Sequence, residues 1–535
     1  MKDRVSLTDF LMYHKETHPI SFHMPGHKGR GTLYGIYGFG DFIKNVVGND
    51  ITEIPGADAL QQPRERIKDI MEGYAGLYGA KHTELLVNGS SAGLMASILG
   101  SVPRGGKLLM GRNSHKSVYG ALRLGGIDPV YIMPEIDSET GLQLGLDPDK
   151  IETALIEDPG IKAVLVTSPN YYGVLSDIER IASIVHLHGR ILIVDQAHGA
   201  HLKFFDYLRS EDGLPHRAAE NCGADIVVDS THKTLLSFTG SAILNICTER
   251  PDVSRISELL RMLQTTSPSY LLMGSLDINQ QILRMDGYNL IKNWDADIKY
   301  FYEEAAQIAG LGLIDRIDLD ETKVSITMSA LGLSGPELAE ELEKRNIWVE
   351  LTHGDYVMLM TGIGNERGDY EDVLSALRDL SAHHGGRIQG VEPESLASKT
   401  ESAAQNASQN QAKNEAQAMA KNEAQAANKN ASQAVDKNAE LRTPSSDSAL
   451  IERLEQRKIP DTYEEVPLYS AEGRVLYESI IPYPPGTPIA CPGEVLSKSV
   501  ILYVRDQLVA QHVVLGVDEE GRVKVESDCV LFKEI

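Results

Sequence analysis

Short apolar runs alternate with longer amphipathic runs between about residues 80 and 250 of the chain. The apolar runs read TELLVN, GKLLMG, DPVYIM, KAVLVTSP, RILIVD, ADIVVDS and SAILNI, and helical patterns such as SSAGLMASILG and DIERIASIVHLHG lie between several of them. Continuous apolar strands that are separated by helices are typical of a largely parallel sheet covered on both faces. The pattern therefore predicts an α/β domain, which we place at residues 81–300 with a mostly helical end.

The pattern changes on both sides of this domain. Residues 1–80 form an N-terminal segment, and residues 301–390 predict a smaller α+β domain with strands near KVSITM, IWVEL and YVMLMT. Residues 396–445 contain almost nothing to bury, so we expect a disordered linker there, or a frayed helix given its Ala, Gln, Lys and Glu content. Residues 446–535, which include the alternating run SVILYVRDQLVAQHVVLGVDEEGRVKV, predict a small C-terminal α+β domain that contains strands.

Composition narrows the classes of partner and compartment. The 535 residues carry 51 Lys and Arg against 76 Asp and Glu, a net charge of −25. This acidity disfavours nucleic acid or an anionic membrane as a partner and is compatible with a cationic substrate. The four cysteines are scattered, and the N-terminus MKDRVSLTDFLMYHKE has no apolar signal region. We therefore expect a soluble cytoplasmic protein without a disulfide framework.

Two charged residues follow buried strands of the predicted sheet. RILIVD ends in Asp195, and ADIVVDS is followed by Thr231, His232 and Lys233. Pyridoxal phosphate requires such a pair, because a lysine binds it covalently and an acid keeps its ring nitrogen protonated. Taken alone, an acid that ends a strand is more often structural, and a lysine is more often a solvated surface residue.

A third feature could hold the phosphate of that cofactor. In LLVNGSSAGLMASIL, Gly89 turns the chain after a strand, Ser90 and Ser91 offer hydroxyl groups, and an apolar helix follows. The N-terminus of a helix favours an anion through its free N–H groups and its dipole. A plain helix cap is the commoner use of such a turn. The order of turn, acid and lysine on one parallel sheet nevertheless favours a pyridoxal phosphate site.

At this point the sequence resembles the bacterial Orn/Lys/Arg decarboxylases, which are fold-type I (aspartate-aminotransferase-like) pyridoxal-phosphate enzymes. The segments that carry the resemblance are FHMPGHKGR, NDITEIPGADAL, NGSSAGLMA, RNSHKSVYGAL, DQAHGAH, DSTHKTL, QTTSPSYLLMGSLD and PYPPGTPIACPGE. The match extends over residues 1 to about 390 and from about 445 to the end. It is nearest to the short Gram-positive type that is most like arginine decarboxylase.

The resemblance implies a role for each residue of the site. Lys233 carries the cofactor and later donates a proton, and Asp195 pairs with the ring nitrogen. Ala197 would lie on the opposite face of a continuing strand, but the family bends the chain there, which implies that Ala197 fits beneath the ring. The remaining residues that the resemblance places around the cofactor are His115 stacked on the ring, His198 beside the cofactor or the substrate carboxylate, and Ser90, Ser91, Ser230 and His232 near the phosphate. A core role for Ser230 or His232 stays open.

Substrate recognition and metal binding are less constrained. A basic amino acid needs a carboxylate at the far end of its pocket, and Glu494, Asp50 and Glu53 are the candidates. The resemblance implies a homodimer or a higher homo-oligomer with shared sites, so Asp50, Glu53, Thr265 and Thr266 could act from a second subunit. Two histidine pairs, HxxH at 198–201 and HxxxH at 23–27, lack a nearby acid or cysteine at zinc spacing, so we expect no metal.

The resulting hypothesis is decarboxylation of a basic L-amino acid. Resemblance to the short enzymes favours arginine, converted to agmatine and CO2 for polyamine biosynthesis, with lysine and then ornithine as alternatives. The residues themselves leave transaminases and other lyases open, because these classes use the same cofactor site. A non-enzyme alternative is an inactive cofactor-binding paralogue that regulates a decarboxylase.

Overall fold

The computed structural model describes residues 6–385, 454–457, 459–460, 462–483, 486–509 and 513–527. The predicted linker at 396–445 lies outside these residues.

The N-terminal segment is mostly helical. Its elements are α1 (Leu7–Glu16), β1 (Ile20–Phe22), α2 (Gly31–Ile36), α3 (Gly40–Lys44), α4 (Val46–Asn49) and α5 (Arg66–Tyr78). A capping box between Ser6 and Asp9 begins α1, which buries none of its residues. In contrast, α5 buries Ile67, Met71 and Tyr74 along one face and packs onto the core.

The central sheet follows. Its strands and the helices between them are β2 (His82–Leu86), α6 (Gly89–Ser101), β3 (Lys107–Gly111), α7 (Lys116–Gly125), β4 (Asp128–Ile132), α8 (Pro148–Glu157), β5 (Ile161–Thr167), α9 (Ile178–Leu187), β6 (Ile191–Asp195), α10 (Leu202–Glu211), β7 (Ile226–Asp229), α11 (Thr231–Thr234) and β8 (Ala242–Ile246). The seven strands have the order β2-β8-β7-β6-β5-β3-β4. Neighbours from β7 to β4 are parallel, whereas β8 is antiparallel to β2 and β7. The predicted mostly parallel sheet is confirmed.

Both faces of this sheet are covered. The chain continues into α12 (Val253–Leu263) and α13 (Tyr270–Ala305), which bends at Asp286. In β3, Leu108 and Met110 pack in one apolar cluster with side chains of α6, α7 and α12. Leu109 points the other way, into a cluster with side chains of α8 and α9. This alternation explains why the strands are continuously apolar.

A smaller antiparallel sheet lies in the next region. Its elements are β9 (Gly312–Leu313), β10 (Lys323–Thr327), α14 (Gly335–Glu343), β11 (Ile347–Val349), β12 (Leu351–His353), β13 (Tyr356–Met360) and α15 (Arg367–Gly385). The strand order is β12-β13-β10-β9. The predicted strand IWVEL is divided at Glu350, because β11 leaves this sheet and pairs in parallel with β1. The N-terminal segment is therefore joined to this smaller region through a separate two-stranded sheet.

The C-terminal region contains β14 (Tyr463–Pro467), β15 (Ile481–Tyr483), α16 (Lys498–Val509), β16 (Val513–Leu515) and β17 (Arg522–Glu526). Strands β14 and β17 pair, as do β15 and β16. The last part of the alternating run forms β16 and β17, whereas its first part forms α16. Its buried residues Val500, Ile501 and Val504 recur at helical spacing, so the short alternation was ambiguous.

Candidate active site

The ends of two neighbouring parallel strands bring Asp195 and Lys233 together. Asp195 is the last residue of β6 and is paired in register with Val228 of β7. After β7 ends at Asp229, the chain makes the single turn of α11, which carries Lys233. The carboxyl edge of a parallel sheet at adjacent strands is a usual place for a ligand. The structure thus places the two residues singled out from the sequence at one edge.

The Lys233 amine lies in a buried, charged environment. Burial lowers its pKa to about 8, against the opposing charges of Asp195 and Glu350. The positive charge of Lys323 adds to this lowering. A lysine with such a pKa loses its proton readily near neutral pH and becomes a nucleophile.

Asp195 is fixed by the bend that follows it. Its side chain is only 3% exposed, and burial raises its pKa, although the charge of Lys233 and the N–H of Ala197 oppose that shift. The Ala197 N–H donates to Oδ1 of Asp195 at 3.2 Å, so the chain turns away from the strand direction. Ala197 itself is buried at this turn. The bend that the family resemblance implied is therefore present.

Two neutral histidines lie near Lys233. The N-cap of α7 is His115, and its Nδ1 accepts the Ser117 N–H at 3.2 Å, which leaves the ring proton on Nε2. Burial and the charge of Lys233 lower the pKa of His115 to about 3. His198 is buried, packs edge-on against Tyr171 with ring centroids 4.8 Å apart, and has a pKa well below its usual value because of burial and Lys233.

The first turn of α6 offers an anion site. Gly89 has a φ of +71°, which favours glycine, and its N–H donates to the Gly240 carbonyl at 2.8 Å. Asn88 gives the helix no side-chain cap, and Ser90 and Ser91 are half-buried in the first turn. The positive end of the helix is therefore oriented for a phosphate.

Two hydroxyl groups close to Lys233 in the sequence are unpaired within the described part of the chain. Ser230 Oγ and Thr234 Oγ1 are buried and have no hydrogen-bond partner among the described residues. Unpaired buried hydroxyls are costly, which fits a site that takes a polar ligand. His232 differs, because its Nδ1 lies 2.7 Å from the Ser241 carbonyl and must donate there. Burial lowers its pKa to about 4, so the remaining nitrogen is an acceptor and reaches a phosphate as a donor only after protonation.

The three predicted substrate acids lie apart from one another. Glu494 is buried and forms an ion pair with Arg112, with Oε2 2.8 Å from Nη2. The same oxygen accepts the Cys491 N–H at 2.7 Å. Asp50 and Glu53 are exposed. Within one chain, the structure does not bring any of the three to Lys233, and Thr265 and Thr266 are also exposed.

The sequence reasoning missed Glu350, an acid whose charge acts on Lys233. It lies between β11 and β12 and accepts the Met24 N–H on Oε2 and the Tyr171 hydroxyl on Oε1, both at 2.9 Å. Its only signal in the sequence is an acid within a predicted strand. Lys28, in the quoted segment FHMPGHKGR, was missed as well, and burial lowers its pKa to about 7. Its Nζ donates to the carbonyls of His23 and Met360.

The described residues contain no group of three or more His, Cys, Asp or Glu side chains that could hold a metal ion. His201, of the HxxH pair, is instead 3.1 Å from Asp320 through Nε2. His27, of the HxxxH pair, accepts the Gly29 N–H at 3.0 Å. No helix in the described part of the chain is both long and apolar enough to cross a membrane.

Comparison with known proteins agrees with this geometry. The family model for the Orn/Lys/Arg decarboxylase major domain matches residues 5–311, and that for the C-terminal domain matches 444–516. An arginine decarboxylase of Bacillus anthracis is 30% identical over 95% of this chain and 94% of its own length. That of Bacillus subtilis strain 168 has the same identity and coverage. The fold is similar to that of the constitutive lysine decarboxylase of Escherichia coli, with a TM-score of 0.67, 20% identity, and coverage of 97% of this chain and 81% of that one.

The first family match alone spans more than half of the chain, and it contains the strand ends that carry Asp195 and Lys233. The second match lies in the C-terminal region that contributes Glu494 to the ion pair with Arg112. The resemblance inferred from the sequence, including its fold-type I architecture, is thereby confirmed. The chain belongs to the Orn/Lys/Arg decarboxylase family.

Proposed function

We propose that this chain decarboxylates a basic L-amino acid, with pyridoxal phosphate carried by Lys233. The observation that carries the proposal is the buried Asp195 and Lys233 pair at adjacent strand ends, next to the uncapped N-terminus of α6. L-Arginine is our first choice of substrate, because relatives named arginine decarboxylase match nearly the whole chain. The products are then agmatine and CO2, which points to polyamine biosynthesis.

The residues present fit this cofactor. Lys233 would attach it, Asp195 would pair with its ring nitrogen, and His115 would cover one face of the ring. Its phosphate would lie at the first turn of α6, near Ser90 and Ser91. The hydroxyl of Ser230, three residues before Lys233 in the sequence, is buried and unpaired among the described residues. Once bound, pyridoxal phosphate supplies an electron sink that stabilises the carbanion left at the substrate Cα when CO2 departs.

The protein side chains provide the proton chemistry around this electron sink. The Asp195 carboxylate, fixed by the Ala197 N–H, holds a proton on the ring nitrogen. The Lys233 amine is about half deprotonated at a pH near its pKa of about 8, and as an ammonium it delivers a proton from Nζ to the substrate Cα. The uncharged rings of His115 and His198 exclude water from the neighbourhood of these groups and place no competing positive charge there.

The distal cation of the substrate requires an acid, and two sources are available. Glu350 is the acid that the chain itself places near Lys233. Asp50 and Glu53 lie on an exposed segment whose apolar residues Val47 and Ile54 are 90% and 51% exposed. Such apolar exposure supports burial against a second copy of the chain, which would deliver these acids to the partner's site. We propose a homodimer with shared sites on this ground.

The first experiment tests the covalent lysine. Lys233→Ala should lose the visible absorption of the lysine-bound cofactor. Lys28→Ala is the matched control, because Lys28 is also a buried lysine with a lowered pKa, yet its Nζ is held by two carbonyl groups. Retained absorption in Lys233→Ala would refute the assignment.

The second experiment tests the reaction and its substrate. CO2 release from arginine, lysine and ornithine separates decarboxylation from transamination, and the ratio of kcat/KM values ranks the three substrates. Glu350→Gln should lower kcat/KM for the best substrate if the chain's own acid binds the cation, whereas Asp50→Asn or Glu53→Gln should do so if a second copy supplies it. Bound cofactor without turnover of any of the three would favour an inactive regulatory paralogue.

A further inference from the structure

A second buried lysine links the small sheet to the active-site turn. Lys323, the first residue of β10, has no exposed surface. Its Nζ donates to the His198 carbonyl at 3.0 Å and to Asp320 Oδ2 at 3.1 Å. The carbonyl belongs to the bend that begins at Asp195, so one ammonium group joins the small sheet to the main chain of the candidate site.

The pair of Lys323 and Asp320 has a fixed orientation. The other carboxylate oxygen, Oδ1 of Asp320, accepts the Thr322 N–H at 3.1 Å and the Thr322 hydroxyl at 2.7 Å. His201 Nε2 lies 3.1 Å from the same oxygen. Asp320 therefore faces His201 and Thr322, whereas Lys323 faces His198.

The surroundings leave little freedom for the Lys323 side chain. Gly173 follows the turn that carries Tyr171 and has a φ of +93°, and its carbonyl accepts the Asp320 N–H at 2.8 Å. A Cβ at Gly173 would lie 3.0 Å from Lys323 Cβ. The lysine is thus enclosed by the turn after β5, the bend after β6 and its own strand.

Stability does not by itself account for such a pair. Replacing a buried ion pair with apolar side chains of similar volume is often neutral or stabilising, because both charges lose their hydration on burial. A functional role is therefore worth testing. We propose that Lys323 is a positioning residue of the reaction: clamped by Asp320, it holds the main chain of His198 in place and presents a fixed positive charge to Lys233.

The inference rests on the proposed role of Lys233 as the cofactor lysine. The charge of Lys323 lowers the pKa of Lys233, of His198 and of Lys28, in each case beside a larger effect of burial. The groups that face Lys233 are the acids Asp195 and Glu350, the cation Lys323, and the neutral rings of His115, His198 and His232. Lys323 is thus the cation that offsets the two acids, and its loss should keep Lys233 protonated to higher pH.

The test measures the titration of Lys233 directly. The full chain, freed of cofactor, is trace-acetylated with acetic anhydride between about pH 6 and pH 10, a range around the ordinary lysine pKa, and the Lys233 peptide is quantified by mass spectrometry. The double variant Asp320→Asn/Lys323→Met removes both charges and leaves no unpaired ion. We expect the Lys233 midpoint to rise by less than about one pH unit, because the removal of Asp320 offsets part of the effect of removing Lys323.

Controls separate the proposed effect from a loss of packing. Lys203→Met removes another buried lysine, whose Nζ bonds Asn221, and should leave the midpoint unchanged. Lys323→Met alone should move the midpoint in the same direction, since Asp320 then acts without its partner, so either folded variant tests the proposal. An unchanged midpoint in a folded variant would overturn it.

A second readout is independent of the titration of free Lys233. In the reloaded enzyme, where the Lys233 nitrogen is bound to the cofactor, the pH midpoint of the change in visible absorption should also rise, because loss of a nearby positive charge favours the protonated form of that nitrogen. Loss of absorption in Lys28→Ala but not in Lys233→Ala would instead refute the proposed function, so the two failures can be told apart.

Discussion

The ion pair between Arg112 and Glu494 should hold the C-terminal region on the sheet. Arg112 directly follows β3, and its guanidinium donates to Glu494 and to the carbonyls of Pro488 and Ile489. The two charged side chains are 5% and 3% exposed. The N–H of Lys116 also donates to the C-terminal region, at the Gly486 carbonyl. The pair is therefore a buried contact between regions that are far apart in the sequence.

Glu494→Gln removes the negative charge and leaves the guanidinium of Arg112 buried. Breaking such a pair from one side costs roughly 3–5 kcal/mol, and we expect about 3 kcal/mol because the carbonyl acceptors remain. A loss of about 3 kcal/mol speeds exchange through local opening on the order of a hundredfold. Hydrogen exchange followed by mass spectrometry should show this acceleration in peptides of residues 486–509, with little change in the sheet.

The matched control and the double variant test the cause. Glu478→Gln breaks the pair between Lys524 and Glu478, also at 2.8 Å but with side chains 34% and 46% exposed, and should cost about 1 kcal/mol or less. Arg112→Met/Glu494→Gln should be more stable than the sum of the single variants predicts. Unchanged hydrogen exchange in Glu494→Gln together with a raised KM would refute this account and would support substrate binding by Glu494.

Three further predictions concern the site and its support. Gly26→Ala should release the cofactor during gel filtration, because a Cβ there would lie 2.3 Å from the Thr234 carbonyl carbon and displace the lysine turn. Tyr171→Phe, which loses its hydrogen bond to Glu350, should leave cofactor absorption unchanged and alter kcat/KM about tenfold or less. Burial raises the pKa of Asp229 in the folded protein, so the folded protein binds this proton more tightly than the unfolded chain does. The stability that this proton provides is lost as the pH rises through the folded pKa. In Asp229→Asn, the free energy of unfolding measured by denaturation should therefore fall less steeply with pH above the ordinary carboxyl range.

The sequence alone was sufficient to predict the central sheet. Its strands are buried on both faces, so each one appears as an unbroken apolar run between helical patterns, and this signal is local. Asp195 and Lys233 could be chosen because each follows such a run. The bend at Ala197 was available only through the family resemblance, because period-two alternation would have placed it on the opposite face of a continuing strand.

Long-range pairing could not be predicted in the same way. Nothing local indicates that β1 pairs with β11, or that Arg112 reaches Glu494 across the linker region. Glu350 could be identified only from the structure, because the pairing of β1 with β11 divides the predicted strand at this acid. The run that forms α16 shows the opposite problem, since a few apolar residues fit both helical and strand periods until their packing decides between them.

The turn that carries Lys233 depends on two regions outside the central sheet. The Gly26 N–H donates to the His232 carbonyl, and the Ile363 N–H donates to the Thr234 carbonyl, at 2.8 and 3.0 Å. The Gly364 N–H donates to the Gly26 carbonyl at 3.0 Å, so the two supports also bind each other. A one-turn helix has little stability of its own. Because the sheet fixes only the preceding strand, the N-terminal loop and the segment after β13 must dock before Lys233 has a defined position, and cofactor binding should report on that docking.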